Sequence, residues 1–424
     1  MSKAGKMQKN INVSIITIGD ELLIGQVIDT NSAWIATQLN GIGIKVNRRV
    51  AVGDDANSIL QALDEESKHA NVVLITGGLG PTADDITKPL LCTYFNGRLV
   101  VNEAALANVK NIFENYIKRP LIERNLKQAE VPDNCIVLQN KRGTAPGMWF
   151  EKDDVIYISM PGVPYEMQGM ITDDVIPALS QRFTLPFISH RTLLLAGIGE
   201  SFIAEMILDF ESSLPSSIKL AYLPNYGMLR LRLTLYAADA TGEKILIEKF
   251  SELKQLVHEY VVIDDDIKLE AVIGQLLTAN NKTIATAESC TGGYIAHLLT
   301  AMPGASAYFK GSIISYSNQI KEDLLDVQSD TLKNNGAVSE ATVKEMVTGA
   351  LSKLQTDYTI AVSGILGPDG GTTDKPVGTV WMAAGNAHEI KTLKMQFRFD
   401  RMRNMQLTAI YALNLLRSLM IAEL

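Results

Sequence analysis

Apolar runs alternate with helical spacing over the first 175 residues. The runs at 11–18 (I-N-V-S-I-I-T-I), 44–52 and 72–76 predict buried strands. Between them, Trp34, Ile35 and Leu39 predict a helix over 31–40. Ile59, Leu60 and Leu63 predict a second one opened by Asp54 and Asp55. Strands and helices joined by short turns predict a parallel sheet covered on both faces, with ligands bound beyond the carboxyl ends of its strands. A polar helical stretch spans 101–127. The strand V-I-Y-I-S-M at 155–160 then meets the rigid turn Pro161-Gly162-Val163-Pro164.

The pattern changes near Ile176. Strands are expected at 191–196, 218–222 and 228–235, and helices at 200–208 and 241–260, with a hairpin turn at 223–227. This reads as a small α+β unit. Alternation in M-L-R-L-R-L puts Arg230 and Arg232 on one face, which reads as solvated or, alternatively, as touching an anionic partner. Past Asp264-Asp265-Asp266 a second α/β pattern begins. It has helices at 267–278, from about Cys290, at 339–354 and from Asp400-Arg401, and strands at 283–287, 311–316, 359–363 and 377–384. Leu407, Ile410, Tyr411, Leu415 and Leu419 form the apolar face of the last helix. The domain boundaries so drawn are 11–175, 176–263 and 264–424.

Composition narrows the function classes. A chain of 424 residues exceeds one ordinary core, and 46% hydrophobic with 20% charged residues reads as globular. A formal net charge of -8 weighs against direct nucleic-acid binding. No uninterrupted apolar stretch suggests a bilayer span, and the N-terminus lacks the apolar core of a signal peptide. Cys92, Cys135 and Cys290 have neither metal-ligand nor disulfide spacing, so a cytoplasmic location is expected.

Two strand edges carry candidate chemistry. In the first domain three turns converge: Gly19-Asp20-Glu21, Gly53-Asp54-Asp55, and Gly77-Gly78-Leu79-Gly80. The glycines suit close backbone approach to a phosphate, and the acids suit a divalent cation bridging phosphate oxygens. Each acid pair also reads as a helix N-terminal charge pair. Glu166 either faces this cleft or simply begins a helix. In the last domain, A-T-A-E-S-C-T-G-G at 285–293 turns a strand into a helix. Ser289 there reads either as a nucleophile beside unpaired N–H groups or, with Thr291, as a helix cap. His297 and His388 are not placed as its base. A buried, neutral Lys321 with Tyr316 can serve instead, although a surface lysine beside a half-buried tyrosine fits the same spacing. Cys290 is a rival nucleophile lacking a histidine partner. Gly364, Gly367, Asp369, Gly370 and Gly371 form a turn that can hold a phosphate together with Arg401.

These stretches resemble the competence/damage-inducible protein CinA family. The first domain carries I-G-D-E-L-L-I-G-Q-V-I-D-T-N, V-G-D-D, T-G-G-L-G-P-T-A-D-D-I-T-K, T-A-P-G-M and M-P-G-V-P-Y-E-M. The last carries A-E-S-C-T-G-G, Y-S-N-Q-I-K, G-A-V-S-E, S-G-I-L-G-P-D-G-G and K-P-V-G-T-V-W. The resemblance implies an α/β architecture. Its parts are a three-layer MoaB/Mog-like, molybdopterin-binding-type domain with a parallel-rich sheet, a small KH-type α+β linker, and a C-terminal α/β amidohydrolase domain.

The implied reaction is hydrolysis of nicotinamide mononucleotide to nicotinic acid mononucleotide and ammonia without a cofactor. A second implied activity is an ADP-ribose pyrophosphatase using a divalent metal (Co2+, Mg2+ or Mn2+) and K+. Under this resemblance Ser289, Tyr316 and Lys321 are catalytic. Thr291, Gly292 and Gly293 supply oxyanion N–H groups, and the 364–371 loop with Arg401 binds substrate. Gly77, Gly78 and Gly80 bind the second substrate, and Asp84 and Asp85 with Asp20, Glu21 or Asp54 hold the metal. A homodimer is also implied. The middle unit lacks a G-x-x-G clamp, so RNA binding does not follow. Where the family commonly has Gly-Asp-Arg, this chain has Phe399-Asp400-Arg401, which removes the freedom of that glycine. The competing readings are a non-catalytic pterin-binding protein and a scaffold in competence or recombination.

Overall fold

The computed structural model describes residues 11–82, 84–185, 188–225, 227–236 and 240–423. They form two compact units. One runs through Ile188 and includes Tyr236; the other comprises Ser189–Leu235 and the chain from Ala240 on.

The first unit is built on a six-stranded sheet in the order Val46–Val52, Val13–Ile18, Val72–Thr76, Val155–Met160, Gly147–Lys152, Ile136–Leu138. The first four strands are parallel and the last two antiparallel. Successive side chains of a strand point to opposite faces. Accordingly Ile15 and Leu74 join one core with Ile35, Leu39 and Met167, while Ile16 and Ile75 join the other with Ile59, Leu63 and Leu91. Both faces are covered, as the continuous apolar runs predict. Asp29 caps the Thr30–Gly41 helix by accepting from Ser32 N at 2.9 Å, and Asp55 caps Ala56–His69 by accepting from Ser58 N at 3.0 Å.

One expectation here is corrected, and one strand lies outside the expected elements. The polar stretch 101–127 is not one helix. It holds Glu103–Ile112, a π-turn at Phe113–Ile117 and a short Glu123–Leu126 helix, broken around Arg119-Pro120, because the residue before a proline avoids helical geometry. The antiparallel strand Gly147–Lys152 was hidden by the Thr-Ala-Pro-Gly punctuation before it.

In the second unit an antiparallel sheet runs Ile218–Asn225, Met228–Leu235, Ser189–Ala196, Val261–Ile263. Arg230 is not solvated. Its side chain is 19% exposed and its Nε donates to Asp266 Oδ1 at 2.8 Å. Arg232 is likewise only half-buried rather than open. The cause is that Met228 shares their strand face and packs, with Leu194, Ala196 and Val262, into one apolar core with Leu269, Ile273, Leu407 and Leu413 of the following segment. Water is therefore displaced from that face by protein.

The remaining sheet runs Phe309–Ile314, Ile284–Glu288, Tyr358–Gly364, Thr379–Gly385, Ile390–Gln396; the first three strands are parallel and the last two antiparallel. Ile390–Gln396 is not predicted by the pattern because an edge strand with four polar positions (I-K-T-L-K-M-Q) lacks a buried run. The Glu340–Leu354 and Arg401–Glu423 helices pack against this sheet. Contrary to expectation, Arg401–Glu423 is long and apolar enough to cross a membrane by length and composition. Leu407, Ala412, Leu413, Leu416 and Leu419 on it are buried in the core.

Candidate active site

Three parallel strands of the second unit deliver their carboxyl-terminal loops to one edge. Ile284–Glu288 leads to Ser289, Phe309–Ile314 leads to Ser315 and Tyr316, and Tyr358–Gly364 leads to the 364–371 loop. Ser289 is held to the neighbouring strand by its N–H, which donates to Val362 O at 3.0 Å.

The turn after Ser289 differs from expectation. The helix begins at Tyr294, not near Cys290, and neither Ser289 nor Thr291 caps it. The cap is the carboxylate of Glu288, which is fully buried. Its Oε2 accepts from Thr291 Oγ1 (2.7 Å), Gly293 N (3.0 Å) and Ile295 N (3.1 Å), and its Oε1 from Ala296 N (2.8 Å) and Thr286 Oγ1 (3.1 Å). A carboxylate so placed satisfies the orphan N–H groups and complements the helix dipole. Gly292 N donates to Ser289 O at 3.1 Å. The N–H groups of Gly292 and Gly293 are therefore committed, whereas those of Cys290 and Thr291 have no acceptor among the described residues. The anion position that the sequence offered to a substrate is filled by the chain's own Glu288. Its signal was an acid at the end of a buried strand directly before a run of small residues. Both glycines adopt left-handed backbone, φ 62 and 98°.

Lys321 lies on the Asn318–Leu325 helix, opened by Ser317. Its side chain is 1% exposed, and its Nζ donates to Ser315 O at 2.6 Å and Ser289 Oγ at 3.1 Å. Burial lowers its pKa, since desolvation penalises the ammonium. The surface-lysine reading is thus excluded. Cys290 is buried beside Glu288, and burial pushes its thiol up to about 12, so it is a neutral thiol rather than a thiolate nucleophile.

Tyr316 is placed differently from the other two. It is 63% exposed, and among the described residues it bonds neither Ser289 nor Lys321. Its hydroxyl accepts from Arg401 Nη2 at 3.1 Å, and Arg401 Nη1 donates to Gly367 O at 2.7 Å. Arg401 therefore ties Tyr316 to the 364–371 loop, in which Asp369, Gly370 and Gly371 are exposed. Asn404, which sequence reasoning missed, is fully buried. Its Nδ2 donates to Leu366 O at 3.0 Å and Phe399 O at 2.9 Å, pinning this loop to the start of the last helix. Phe399 has no left-handed backbone, and its ring lies under Arg403 at 4.1 Å, so the loop needs no glycine there.

In the first unit the expected turns do share an edge. Asp20 N donates to Asp54 Oδ2 at 3.0 Å and Asp54 N to Asp20 Oδ1 at 3.2 Å. Burial holds the Asp54 carboxyl above its usual range, and the negative charges of Asp20, Glu21 and Asp84 add to the shift. A side chain at Gly77 would fall 2.2 Å from Ile18 O, so only glycine fits there. Asp85 is turned inward. It accepts from Gly80 N and Thr82 N, both at 2.8 Å, and from Thr82 Oγ1, and so shapes the loop. Glu166 accepts from Asn140 Nδ2 at 2.6 Å, and burial raises its pKa. Among the described residues no three acids, histidines or cysteines are grouped to hold a metal ion. Asp20 and Asp54 supply hard oxygen donors of the kind suited to a cation that keeps water and substrate phosphate as its other ligands.

Comparison with known proteins agrees with this architecture. Residues 14–181 match the family model "Probable molybdopterin binding domain", 190–262 match "Damage-inducible protein CinA KH domain", and 266–420 match "CinA C-terminal domain". The class is thus a mixed α/β protein with a molybdopterin-binding-like domain, a KH-type domain and a C-terminal α/β region. A CinA-like protein of Cytophaga hutchinsonii is 48% identical over 415 residues, covering 97% of this chain and 98% of its own. One from Flavobacterium psychrophilum is 44% identical over 412 residues, covering 95% and 98%. The crystal structure of competence damage-inducible protein A from Klebsiella pneumoniae is 37% identical, covers 35% of this chain and 93% of that one, and has a TM-score of 0.35. The chain belongs to the CinA family.

Proposed function

We propose that the second unit hydrolyses the carboxamide of nicotinamide mononucleotide, giving nicotinic acid mononucleotide and ammonia. The observation that carries this reading is the buried Lys321 amine 3.1 Å from Ser289 Oγ. Neutral Lys321 takes the Oγ proton as Ser289 attacks the amide carbon. The free N–H groups of Cys290 and Thr291 stabilise the oxyanion, in place of those of Gly292 and Gly293. The C–N bond then breaks, and the Lys321 ammonium returns the proton to the departing ammonia. Water, deprotonated by Lys321, attacks the acyl-enzyme carbon, and Lys321 returns that proton to Ser289 Oγ as the C–O bond to the serine breaks. A guanidinium has five N–H donors, so Arg401 keeps donors for the substrate phosphate beyond those given to Gly367 and Tyr316. Tyr316 is a substrate-contacting group at the mouth rather than a proton relay. The test is ammonia release from nicotinamide mononucleotide by the wild type, Ser289→Ala and Lys321→Ala. Release by the wild type, abolished in both variants, is expected. Retained turnover in Ser289→Ala overturns the nucleophile assignment.

A second activity is proposed for the first unit: cleavage of the pyrophosphate of ADP-ribose. It is favoured by the pairing of Asp20 and Asp54, each of whose carboxylates accepts the other's backbone N–H and so stands at the same strand edge. Asp20 and Asp54 would hold a divalent cation (Co2+, Mg2+ or Mn2+), with K+ assisting, and the metal supplies charge neutralisation at the phosphates. Gly77 N donates to Met160 O and Gly80 N to Asp85 Oδ1, so of the three glycines it is Gly78 whose N–H, without an acceptor among the described residues, is open to a phosphate. Pyrophosphatase activity that survives a chelator overturns this reading.

A further inference from the structure

A second cavity lies within the second unit, away from Ser289. It measures about 240 Å³ and is lined by residues of the antiparallel sheet (Asn225, Met228, Arg230), of the Leu269–Ala279 helix (Leu269, Glu270), and of the Tyr294–Thr300 and Arg401–Glu423 helices. Neither Ser289, Lys321, Tyr316 nor Arg401 lines it. Two groups of opposite charge face this space with unused bonding capacity. Glu270 is 6% exposed, and its one ion-pair neighbour among the described residues is Lys268 at 4.0 Å, beyond hydrogen-bonding distance. Arg230 spends its Nε on Asp266, and among the described residues its two Nη groups have no partner. Arg230 and Glu270 are not paired with each other. The Glu270 oxygens are not among the buried unpartnered atoms; they open onto the cavity, where a cationic donor can meet them. Leu194, Met228, Leu298, Ile410 and Tyr294 supply the apolar part of the wall, and Asn225 and Gln406 add two amides.

We propose that this cavity binds a free α-amino acid with an apolar side chain. Its ammonium meets Glu270, its carboxylate meets Arg230 with Lys268 at the rim, and its side chain lies on the Leu194, Met228 and Ile410 wall. The volume, below the roughly 300–1,000 Å³ of pockets for drug-sized ligands, suits so small a metabolite. The alternation of its strand leaves Arg230 either on a solvated face or against an anionic partner. Its burial against the following segment is what creates the site.

The test is calorimetric titration of the full chain with L-leucine, L-methionine and L-phenylalanine. L-leucinol, which lacks the carboxylate, and 4-methylpentanoate, which lacks the ammonium, serve as controls. At least one amino acid is expected to bind in the micromolar-to-millimolar range. Both leucine analogues should bind at least about tenfold more weakly than leucine. Glu270→Gln, of nearly the same shape, should weaken amino-acid binding by about tenfold or more and leave 4-methylpentanoate binding unchanged. No binding of any of the three, or equal binding of leucine and its analogues, overturns the proposal. Because the wild type alone distinguishes these outcomes, a poorly folded variant does not obscure them. The readout is independent of ammonia release.

Discussion

Lys321 Nζ stands 3.1 Å from Ser289 Oγ while the lysine side chain is 1% exposed. The amine must be neutral to accept the serine proton, and burial favours that form by lowering its pKa. Turnover of nicotinamide mononucleotide is therefore expected to rise with pH through a transition that lies below the ordinary lysine value. Lys321→Arg keeps the charge but cannot lose its proton, so it should be as inactive as Lys321→Ala. A pH–rate profile for kcat/KM checks the first expectation. An active Lys321→Arg enzyme would refute the general-base role.

Glu288 touches no substrate in this arrangement; it acts through the turn. Five donors converge on its two oxygens, and three of them are N–H groups of the turn and helix that follow Ser289. In Glu288→Gln one oxygen becomes an NH2 facing donors, which leaves buried groups unsatisfied. The expected cost is about 1–3 kcal/mol in stability. Because Ser289 and the free Cys290 and Thr291 N–H groups lose their fixed geometry, kcat should fall by about 10- to 100-fold with KM little changed. A purely structural role would lower the melting temperature without this kcat-specific loss in the surviving folded enzyme.

The family resemblance groups Asp85 and Asp20 as metal ligands, but their surroundings separate them. Asp85 closes its own loop onto Gly80 and Thr82, whereas the Asp20 and Asp54 carboxylates each accept the other residue's backbone N–H. Asp85→Ala should destabilise the first unit by about 1–2 kcal/mol, as the loss of a capping carboxylate does. Asp20→Asn should preserve the fold and weaken metal dependence of pyrophosphate cleavage. Thermal melts together with metal titrations of ADP-ribose hydrolysis distinguish the two. Equal loss of metal response in both variants would return Asp85 to the ligand set.

The sequence made legible what depends on local pattern. The strand Val72–Thr76 falls on its apolar run, and the Ala56–His69 helix starts at its Asp55 cap. What escaped was set by distant partners. Glu288 reads as one more strand residue until the helix N-terminus folds back onto it. Arg230 alternates like a surface residue until Leu269 and the last helix cover its face. Tyr316 and Lys321 stand five positions apart, yet one is exposed and tied to Arg401 and the other is buried against Ser289. Spacing alone does not distinguish them. Phe399, read as a loss of backbone freedom, occupies a conformation open to any residue.

Lys88 provides a pH test of the first unit. Its side chain is 8% exposed, and its Nζ donates to Gln128 O at 2.9 Å. Burial lowers its pKa from 10.5 to about 8, against the opposing pull of Glu130 and Asp85. Below about pH 8 both folded and unfolded chains carry the ammonium, and the folded state bears the desolvation penalty. Between about pH 8 and 10.5 the unfolded chain binds more protons than the folded one, so this penalty is relieved as pH rises. The full relief is on the order of 3 kcal/mol. Lys88→Met removes this titration. Urea unfolding of the two proteins at about pH 7.5 and about pH 9.5 should then show the wild type gaining stability relative to the variant at the higher pH. A difference that stays constant, or moves the other way, would mean that the Lys88 ammonium is stabilised by its carbonyl acceptors as well as it is by water.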